Sequence, residues 1–466
     1  MTSYKLDPKP CDQQGDIVIG DPSNRQKDKI LLGKLAESGA LRKLWLDITG
    51  EQVVAICGKR GSGKSYTLGV LIEGLAAITG KSSVAVHETS RAGLVFDIMD
   101  IFWTSEIGLS NTGSQEIIKQ YKLMHEKGYK SESLNLTIWI PSGYENPQID
   151  PPNVKALKLG VKDLEIDDWA ALFDVDIFKE PRGMLLVDML NHVSQVGYYR
   201  EDGVKVEPIS NYDFEDLINC LENDTEIIEN YNENTLRSIR QRMITYSSLS
   251  LFQGSPTLIT ELINPSNVSI LMLARVPDEF KKVIVSVLVR MILRERRDAS
   301  FAQKRLDLQA NLTGDEKNRL QRLIQSKVPR TWVLMDEAHV LASHSEGSIA
   351  REALIKFAKE GRNYGLSLAV ATQQPSALDS RLMSQVETLI SHQLTSPKDA
   401  DVASDNIRSP LADNITVNGT ESDVGNLLRH LDQGTAVFSC GNAPNLKRLC
   451  VVNIRPRISA HGGYEA

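Results

Sequence analysis

Residues 53–65 read VVAICGKRGSGKS, a segment from which the fold class of the chain can be predicted. The apolar run 53–57 predicts a buried strand, and residues 58–65 fit the pattern GxxxxGK[ST] at every fixed position. Apolar residues at helical spacing come next, at Leu68, Leu71, Ile72 and Leu75. A strand, a Gly-rich turn and a helix in this order predict a loop whose backbone N–H groups and helix N-terminus bind phosphates. The alternative, an ordinary Gly-rich turn, is disfavoured by the strand and the helix on either side.

The loop supplies the residues that would bind a nucleotide. Lys64 would place its ammonium group on the β- and γ-phosphates, and the Ser65 hydroxyl would ligate magnesium. ATP and Mg²⁺ are therefore the predicted cofactors. The residues expected to contact the nucleotide are Gly58, Arg60, Gly61, Ser62, Gly63, Lys64, Ser65 and Tyr66.

A second apolar run, residues 331–335, ends in the acidic pair Asp336 and Glu337. Because the run predicts a strand, both carboxylates are expected at the carboxyl edge of the sheet, where ligands of open α/β folds bind. Asp336 would hold Mg²⁺, directly or through water, and Glu337 would orient and polarise the water that attacks the γ-phosphate. The alternative is a helix N-terminus whose dipole favours acids. The two motifs together predict a P-loop NTPase of the ASCE or RecA-like type, in which a glutamate stands next to the magnesium aspartate.

Two more catalytic residues are predicted downstream of the acidic pair. The strand-like run 367–372 ends at Gln373, which is placed to sense the γ-phosphate. Arg362 follows a predicted helix that stops at Gly361. An arginine there could reach the nucleotide of a neighbouring subunit and stabilise the charge of the transition state in trans. The alternative for Arg362 is a surface arginine that binds the last carbonyls of the helix.

Strand-like and helix-like segments alternate from about residue 50 onward, which predicts an α/β fold with a mainly parallel central sheet flanked by helices. The predicted strands are rich in Val, Ile and Leu and lie at 53–57, 94–98, 269–274, 332–336, 367–372 and 388–394. We divide the chain into a short N-terminal segment (1–50), a first part of the ATPase core (51–105), a mostly helical insertion (106–260) and a second part of the core (261–466). A C-terminal β-hairpin is expected from 435–439 and 449–454.

Composition narrows the possible functions. The 53 basic and 60 acidic residues give a net charge of −7, so the surface as a whole is not built to coat nucleic acid, and any DNA contact must be local. Five scattered cysteines without a CxxC pair argue against a disulfide framework or a structural zinc site. No run approaches the roughly 18 apolar residues of a spanning helix, and the N-terminus lacks the pattern of a signal peptide. We expect a cytoplasmic protein that does not enter a membrane.

Several stretches resemble the HerA/FtsK superfamily, and more closely its HerA-like branch of DNA translocases. Together they span a little over half of the chain. The most specific is 360–397, in which a strand ending in ATQ precedes Pro375. The others include GKRGSGKSYT (58–67), GLVFDIMDIF (93–102), SILMLARVPDEFKKVIVSVLVRMIL (269–293), VLMDEAHVLA (333–342) and RPRISAHGG (455–463).

The resemblance implies a hexameric ring that threads DNA through its channel and binds ATP between subunits. Binding to the DNA backbone without sequence preference would fit such a motor. It also implies a nuclease or another effector protein as partner. It assigns the roles given above to Lys64, Ser65, Asp336, Glu337 and Gln373, directs Arg362 at the adjacent site, and gives Asp97 a supporting role at the nucleotide.

Two features depart from the family pattern. HerA proteins usually begin with a small β-barrel, but the phosphate loop of this chain already starts at residue 58, so the barrel is expected to be missing or reduced to a strand arm. Met99 and Asp100 stand where relatives tend to carry a glycine and an acid.

The predicted function is an ATP-dependent, ring-forming translocase or helicase of HerA type that moves duplex DNA in end processing or in anti-phage defence. The alternative is an ATP-dependent assembly scaffold that regulates a partner effector with little translocation. A third and weaker reading is a pump ATPase of conjugation or secretion. Arginines and lysines at 282–297 and 237–242 are candidates for DNA contact, although a solvated helix face is the commoner explanation for such residues.

Overall fold

The computed structural model describes residues 4–5, 16–19, 28–36, 42–78, 80–344, 348–407, 415–417, 419–441 and 448–463. Its strands are β1 (Tyr4–Lys5), β2 (Ile17–Ile19), β3 (Lys29–Leu35), β4 (Lys43–Asp47), β5 (Val53–Cys57), β6 (Ala85–Val86), β7 (Ala92–Asp97), β8 (Leu136–Pro141), β9 (Lys155–Leu157), β10 (Tyr198–Tyr199), β11 (Lys205–Val206), β12 (Val268–Met272), β13 (Thr331–Met335), β14 (Leu366–Thr372), β15 (Thr388–Ser391), β16 (Ile415–Val417), β17 (Thr420–Ser422), β18 (Thr435–Cys440) and β19 (Arg448–Ile454).

The α-helices of the described residues connect these strands. They are α1 (Lys64–Ala76), α2 (Gln115–Glu126), α3 (Ile166–Phe173), α4 (Pro181–Asn191), α5 (Phe214–Asn223), α6 (Thr225–Asn230), α7 (Glu233–Ser247), α8 (Ile259–Leu262), α9 (Asp278–Leu308), α10 (Gly314–Gln325), α11 (Ile349–Glu360), α12 (Ser380–Met383), α13 (Pro397–Asp405) and α14 (Val424–Arg429). Among the described residues, no helix has both the length and the apolar character that crossing a membrane requires.

The chain divides into two compact units. The core unit comprises residues 1–138, 262–274 and 292–466, and the insertion unit comprises 139–261 and 275–291. Residues 106–138, which the sequence analysis assigned to the helical insertion, therefore lie in the core unit. They include helix α2.

The centre of the core unit is a parallel sheet in the order β15-β5-β14-β13-β7-β12. Strands β5, β7, β12, β13 and β14 are buried along their whole length. Near-continuous apolar runs suit strands that are covered on both faces, which is the pattern that predicted them. The fold is thus the predicted P-loop NTPase, with a mainly parallel sheet flanked by helices.

Antiparallel strands extend this sheet beyond β15. Strand β18 pairs with β15 and with β19, so the predicted C-terminal hairpin is present. The turn of that hairpin, residues 442–447, lies outside the described residues. Strand β19 then pairs with β3, and β3 pairs with β4. In the described part of the N-terminal segment, these strands continue the core sheet as an arm.

The insertion unit is mostly helical. An aromatic cluster fills its core, with Trp169 packed edge-on against Phe214 and Phe173 packed edge-on against Tyr246. Arg290 of α9 forms ion pairs with Asp168 and Glu165. Asp168 is completely buried, so the Arg290 guanidinium compensates its charge. Arg290 is therefore a structural residue of this unit, and the solvated-face and DNA-contact interpretations of that position are both wrong.

Candidate nucleotide-binding site

The phosphate loop connects β5 to α1, as the sequence predicted. Gly61 and Gly63 have φ angles of 75° and 114°, which side-chain-bearing residues rarely adopt. Gly63 is the N-cap of α1 and has no side chain to bond the first helical N–H groups. The loop thus leaves these N–H groups directed at whatever binds there, which is the arrangement that favours a polyanion.

The loop is held from the side by the turn that precedes β18. Gln433 Nε2 donates a hydrogen bond to the Gly61 carbonyl (3.0 Å), and the Gly434 N–H donates to the Ser62 carbonyl (3.2 Å). These two bonds engage carbonyls of the loop and not its N–H groups. They come from a segment far away in sequence that the motif itself does not indicate.

Lys64 and the acidic pair meet in the structure. Lys64 Nζ lies 2.6 Å from Glu337 Oε1, 3.3 Å from Asp336 Oδ1 and 3.1 Å from Ser65 Oγ. All three charged side chains are almost completely buried. The register of the sheet explains the meeting, because β14 pairs in parallel with β5 on one side and with β13 on the other. Parallel strands bring their carboxyl ends to one edge, where ligands bind.

Residues other than Lys64 also contact Glu337. Gln373, directly after β14, donates from Nε2 to Glu337 Oε1 over 2.5 Å. Glu337 Oε2 is buried without a hydrogen-bond partner, although His339 Nδ1 lies 3.3 Å away. The backbone of Glu337 has a φ of 47°, an uncommon conformation for a residue with a side chain. Strain of this kind collects at functional sites, where the surrounding structure imposes it.

The residues predicted to hold magnesium fit that ion. Asp336 Oδ2 is buried and has no hydrogen-bond partner, so a carboxylate oxygen next to the phosphate loop is free to ligate a cation. The Ser65 hydroxyl lies at the start of α1. Both are oxygen donors, which Mg²⁺ prefers. Among the described residues no group of three or more His, Cys, Asp and Glu side chains could hold a metal alone.

Asp97 supports the turn that follows β7. Its carboxylate accepts hydrogen bonds from the N–H groups of Ile101 (3.1 Å) and Phe102 (2.7 Å). Burial raises the pKa of Asp97 to about 7, and the charges of Asp100 and Asp336 act in the same direction, against those two hydrogen bonds. Asp97 therefore stabilises the turn after β7, and its carboxyl group is electrostatically coupled to Asp336.

Two predicted residues lie apart from the Lys64 cluster, which consists of Lys64, Asp336, Glu337 and Gln373. Arg362, in the turn after α11, forms an ion pair with Glu387 (2.8 Å), and its side chain is 66% exposed. Tyr66 directs its hydroxyl to the Arg457 N–H, from which it accepts a hydrogen bond of 2.6 Å, and its ring packs edge-on against His461. The side chain of Tyr66 is thus engaged with the C-terminal segment.

His339 is a site residue that the sequence analysis did not single out. Besides lying close to Glu337, its Nδ1 is 3.2 Å from the hydroxyl of Thr372 at the end of β14. The available signal was its position, two residues after Glu337.

A family model described as the central domain of helicase HerA matches residues 30–292, which is more than half of the chain. This chain belongs to the HerA family. The match includes the phosphate loop and ends before the acidic pair at 336–337.

Individual relatives of this HerA-family chain match over shorter stretches. It is 29% identical over 161 residues to the DNA double-strand break repair helicase HerA of Pyrococcus furiosus, a stretch that covers 33% of this chain and 29% of that protein. It is also 29% identical over 123 residues to the helicase of the same name from Sulfurisphaera tokodaii, which covers 25% of each chain. These stretches thus span less than a third of the curated relatives. Among solved structures, VirB4 of Thermoanaerobacter pseudethanolicus aligns with a TM-score of 0.49 at 14% identity, covering 94% of this chain and 98% of that one.

Proposed function

We propose that this HerA-family chain hydrolyses ATP and uses the energy to move DNA. The observation that carries the proposal is the buried cluster of Lys64, Asp336, Glu337 and Gln373 at the carboxyl edge of the parallel sheet. In this cluster, Lys64 would bind phosphate and Asp336 would ligate the metal. Glu337 would activate the attacking water, and Gln373 would sense the γ-phosphate. P-loop ATPases use groups of these kinds to bind the phosphates and Mg²⁺ and to position the attacking water.

The contacts of Lys64 indicate how the site would respond to ATP. Its ammonium now neutralises Glu337 at 2.6 Å. A bound γ-phosphate offers Lys64 a stronger anionic partner, and the exchange would release the Glu337 carboxylate to accept a proton from water. Gln373 would then hold Glu337 and the phosphate in register. Ser65 and Asp336 would hold Mg²⁺, which neutralises charge on the phosphates.

We further propose that the chain works as a ring, most simply a hexamer. The exposed guanidinium of Arg362 supports a role in trans, because its ion pair with Glu387 lies at the surface and exchanges easily. Duplex DNA bound without sequence preference, and a nuclease or another effector as partner, complete the proposal. The Pyrococcus relative is a DNA double-strand break repair helicase, and this supports DNA end processing as the setting.

The test is ATP hydrolysis by the purified chain with and without duplex DNA, next to the variant Glu337→Gln. We expect DNA to stimulate the wild type. We expect Glu337→Gln to bind ATP normally while turnover falls by about 10²-fold or more, because the amide cannot accept the proton of the attacking water.

The matched control is Glu201→Gln, the same chemical change at an exposed position in the insertion unit. It should hydrolyse ATP at the wild-type rate. A protein that forms rings and hydrolyses ATP at a rate that ignores DNA would favour the assembly scaffold instead. Equal turnover by the wild type and Glu337→Gln would contradict the catalytic assignment.

A further inference from the structure

The segment after β15 lies directly against the phosphate loop. The His392 N–H donates to the Cys57 carbonyl (2.8 Å), and the Lys59 N–H donates to the Gln393 carbonyl (2.8 Å). The backbone pairing of β15 with β5 therefore continues beyond the strand ends into the first residues of the loop.

The imidazole of His392 is completely buried, and both of its nitrogens have a partner. Nδ1 lies 3.0 Å from the Thr435 carbonyl, and Nε2 lies 2.8 Å from the Thr67 hydroxyl. Because a carbonyl can only accept, Nδ1 carries the proton. Nε2 is then an acceptor, and Thr67 donates to it.

Thr67 closes the helical turn that carries Lys64 and Ser65. Its backbone N–H donates to the Gly63 carbonyl (2.9 Å), and its side chain donates to His392. The first turn of α1 is thus held by its own backbone hydrogen bond and also by a side-chain hydrogen bond to His392, the residue directly after β15.

The two fixed outer glycines of the loop motif leave room for the imidazole. A Cβ atom on Gly58 would lie 2.8 Å from His392 Cβ, and one on Gly63 would lie 3.3 Å from His392 Cε1. The loop therefore curves around this side chain. The neutral ring suits the place, because burial, and then the charge of Lys64, lower the pKa of His392 to about 4 although the Thr435 carbonyl opposes the shift.

We infer that His392 is a positioning residue of the nucleotide site. Through Thr67 and its contact with Gly58 and Gly63, it fixes the curvature of the phosphate loop and the direction of the first turn of α1. Its effect would reach the nucleotide through Lys64 and Ser65, which share the first turn of α1 with Thr67. This inference rests on the proposed function, since it presumes that the loop binds a nucleotide.

The experiment compares Thr67→Val, Thr67→Ser and His392→Asn by equilibrium binding of a fluorescent ATP analogue to the full chain. Valine has the shape of threonine without the hydroxyl, and serine keeps the hydroxyl. Asparagine places an amide nitrogen near the position of Nδ1, so it keeps the bond to Thr435 but does not reach Thr67. We expect Thr67→Val and His392→Asn each to weaken binding about tenfold, because each leaves a buried group unpaired. Thr67→Ser should stay within about threefold of the wild type.

The double variant Thr67→Val/His392→Asn separates a positioning role from general loss of stability. If the two residues act through one bond, the double variant should bind about as weakly as either single variant. Thermal unfolding is measured on the same samples. Variants that melt earlier but bind the analogue as tightly as the wild type would overturn the inference and leave His392 as a core residue only.

Lys64→Ala distinguishes failure of this inference from failure of the proposed function. Loss of binding in Lys64→Ala, together with wild-type binding in Thr67→Val and His392→Asn, would sink the role of His392 and leave the nucleotide site standing. A wild-type chain that does not bind the analogue would contradict the proposed function itself, and the inference with it.

Discussion

At the scale of the residue, Glu337 shows how neighbours hold the side chain that we propose activates water. Its left-handed backbone turns the carboxylate toward Lys64, and Gln373 binds the same oxygen, Oε1, that Lys64 does. When Lys64 moves to a phosphate, Gln373 would be the group that still holds Glu337. We therefore expect Gln373→Ala to lower kcat for ATP hydrolysis by about 10²-fold while the affinity for nucleotide changes little, measured by steady-state kinetics and analogue binding.

The adjacent residue provides the control for this change. Gln374 has the same side chain and is exposed. Gln374→Ala should keep wild-type kcat, and a similar loss in both variants would show that the effect belongs to the backbone turn and not to the contact of Gln373 with Glu337.

At the scale of the element, helix α1 depends on the C-terminal segment. Glu73, in the middle of α1, is completely buried and accepts hydrogen bonds from Arg455 Nη1 (2.7 Å) and Arg457 Nε (2.6 Å). A Cβ on Gly69 would come within 1.9 Å of the Arg457 guanidinium, so only glycine lets that side chain cross the helix. The RPRIS stretch is thus part of the phosphate-binding framework, and this explains its place among the family-like blocks.

Glu73→Gln should therefore destabilise the core unit by about 3–5 kcal/mol, because it leaves two buried guanidinium groups without a carboxylate. Urea unfolding of the full chain measures the change. Ser459→Ala removes one hydrogen bond to the same carboxylate and should cost about 1 kcal/mol. Glu201→Gln, at an exposed position, should unfold like the wild type.

The stabilisation by Glu73 also depends on pH. Burial alone would raise the pKa of Glu73, but the charges of Arg457 and Arg455 and the bond from Ser459 bring it below the ordinary value. A carboxyl whose pKa is lower in the folded state stabilises the fold above its unfolded-state pKa, and this contribution is lost as the pH falls through the folded-state value. The difference in unfolding free energy between wild type and Glu73→Gln should thus be constant near neutral pH and shrink below the ordinary glutamate pKa. A difference that grew on acidification would contradict the ion pairs.

At the scale of the whole molecule, the role proposed for Arg362 requires more than one chain. Lys64→Ala and Arg362→Ala should each lose most ATP hydrolysis. If Arg362 acts on a neighbour, mixing the two variants should restore activity well above the sum of the parents, because Arg362→Ala subunits keep an intact Lys64 cluster and Lys64→Ala subunits supply the arginine. The readout is ATP turnover of the mixture after subunit exchange.

A second mixture provides the control for this prediction. Lys64→Ala and Glu337→Gln damage the same cluster within one chain, so mixing them should restore nothing. If the Arg362→Ala mixture also stays at the sum of its parents, Arg362 is the surface arginine that the sequence analysis kept as an alternative.

The strands of the core, the phosphate loop and the acidic pair could be predicted from the amino-acid sequence. Each of these is a local pattern: a run of apolar residues for a buried strand, glycines at fixed spacing for a tight loop, and polar residues directly after a strand for the ligand edge. The predicted strand limits were close to the observed ones. For β15, the prediction was 388–394, and the strand is Thr388–Ser391. Such local patterns can be recognised in a sequence because neighbouring residues set the backbone conformation of the strand or turn.

Which distant residues share the site depends on the packing of the whole fold. The order β15-β5-β14-β13 brings Gln373 to Glu337 and places His392 beneath the phosphate loop. The buried ion pairs of Glu73 join residues separated by more than 380 positions. Arg290, for which the sequence also permitted a solvated helix face, is directed into the insertion unit, where it forms an ion pair with the buried Asp168. In each case burial removes water from a polar group, and the group then takes whichever partner the packing of the whole fold supplies, which no local pattern contains.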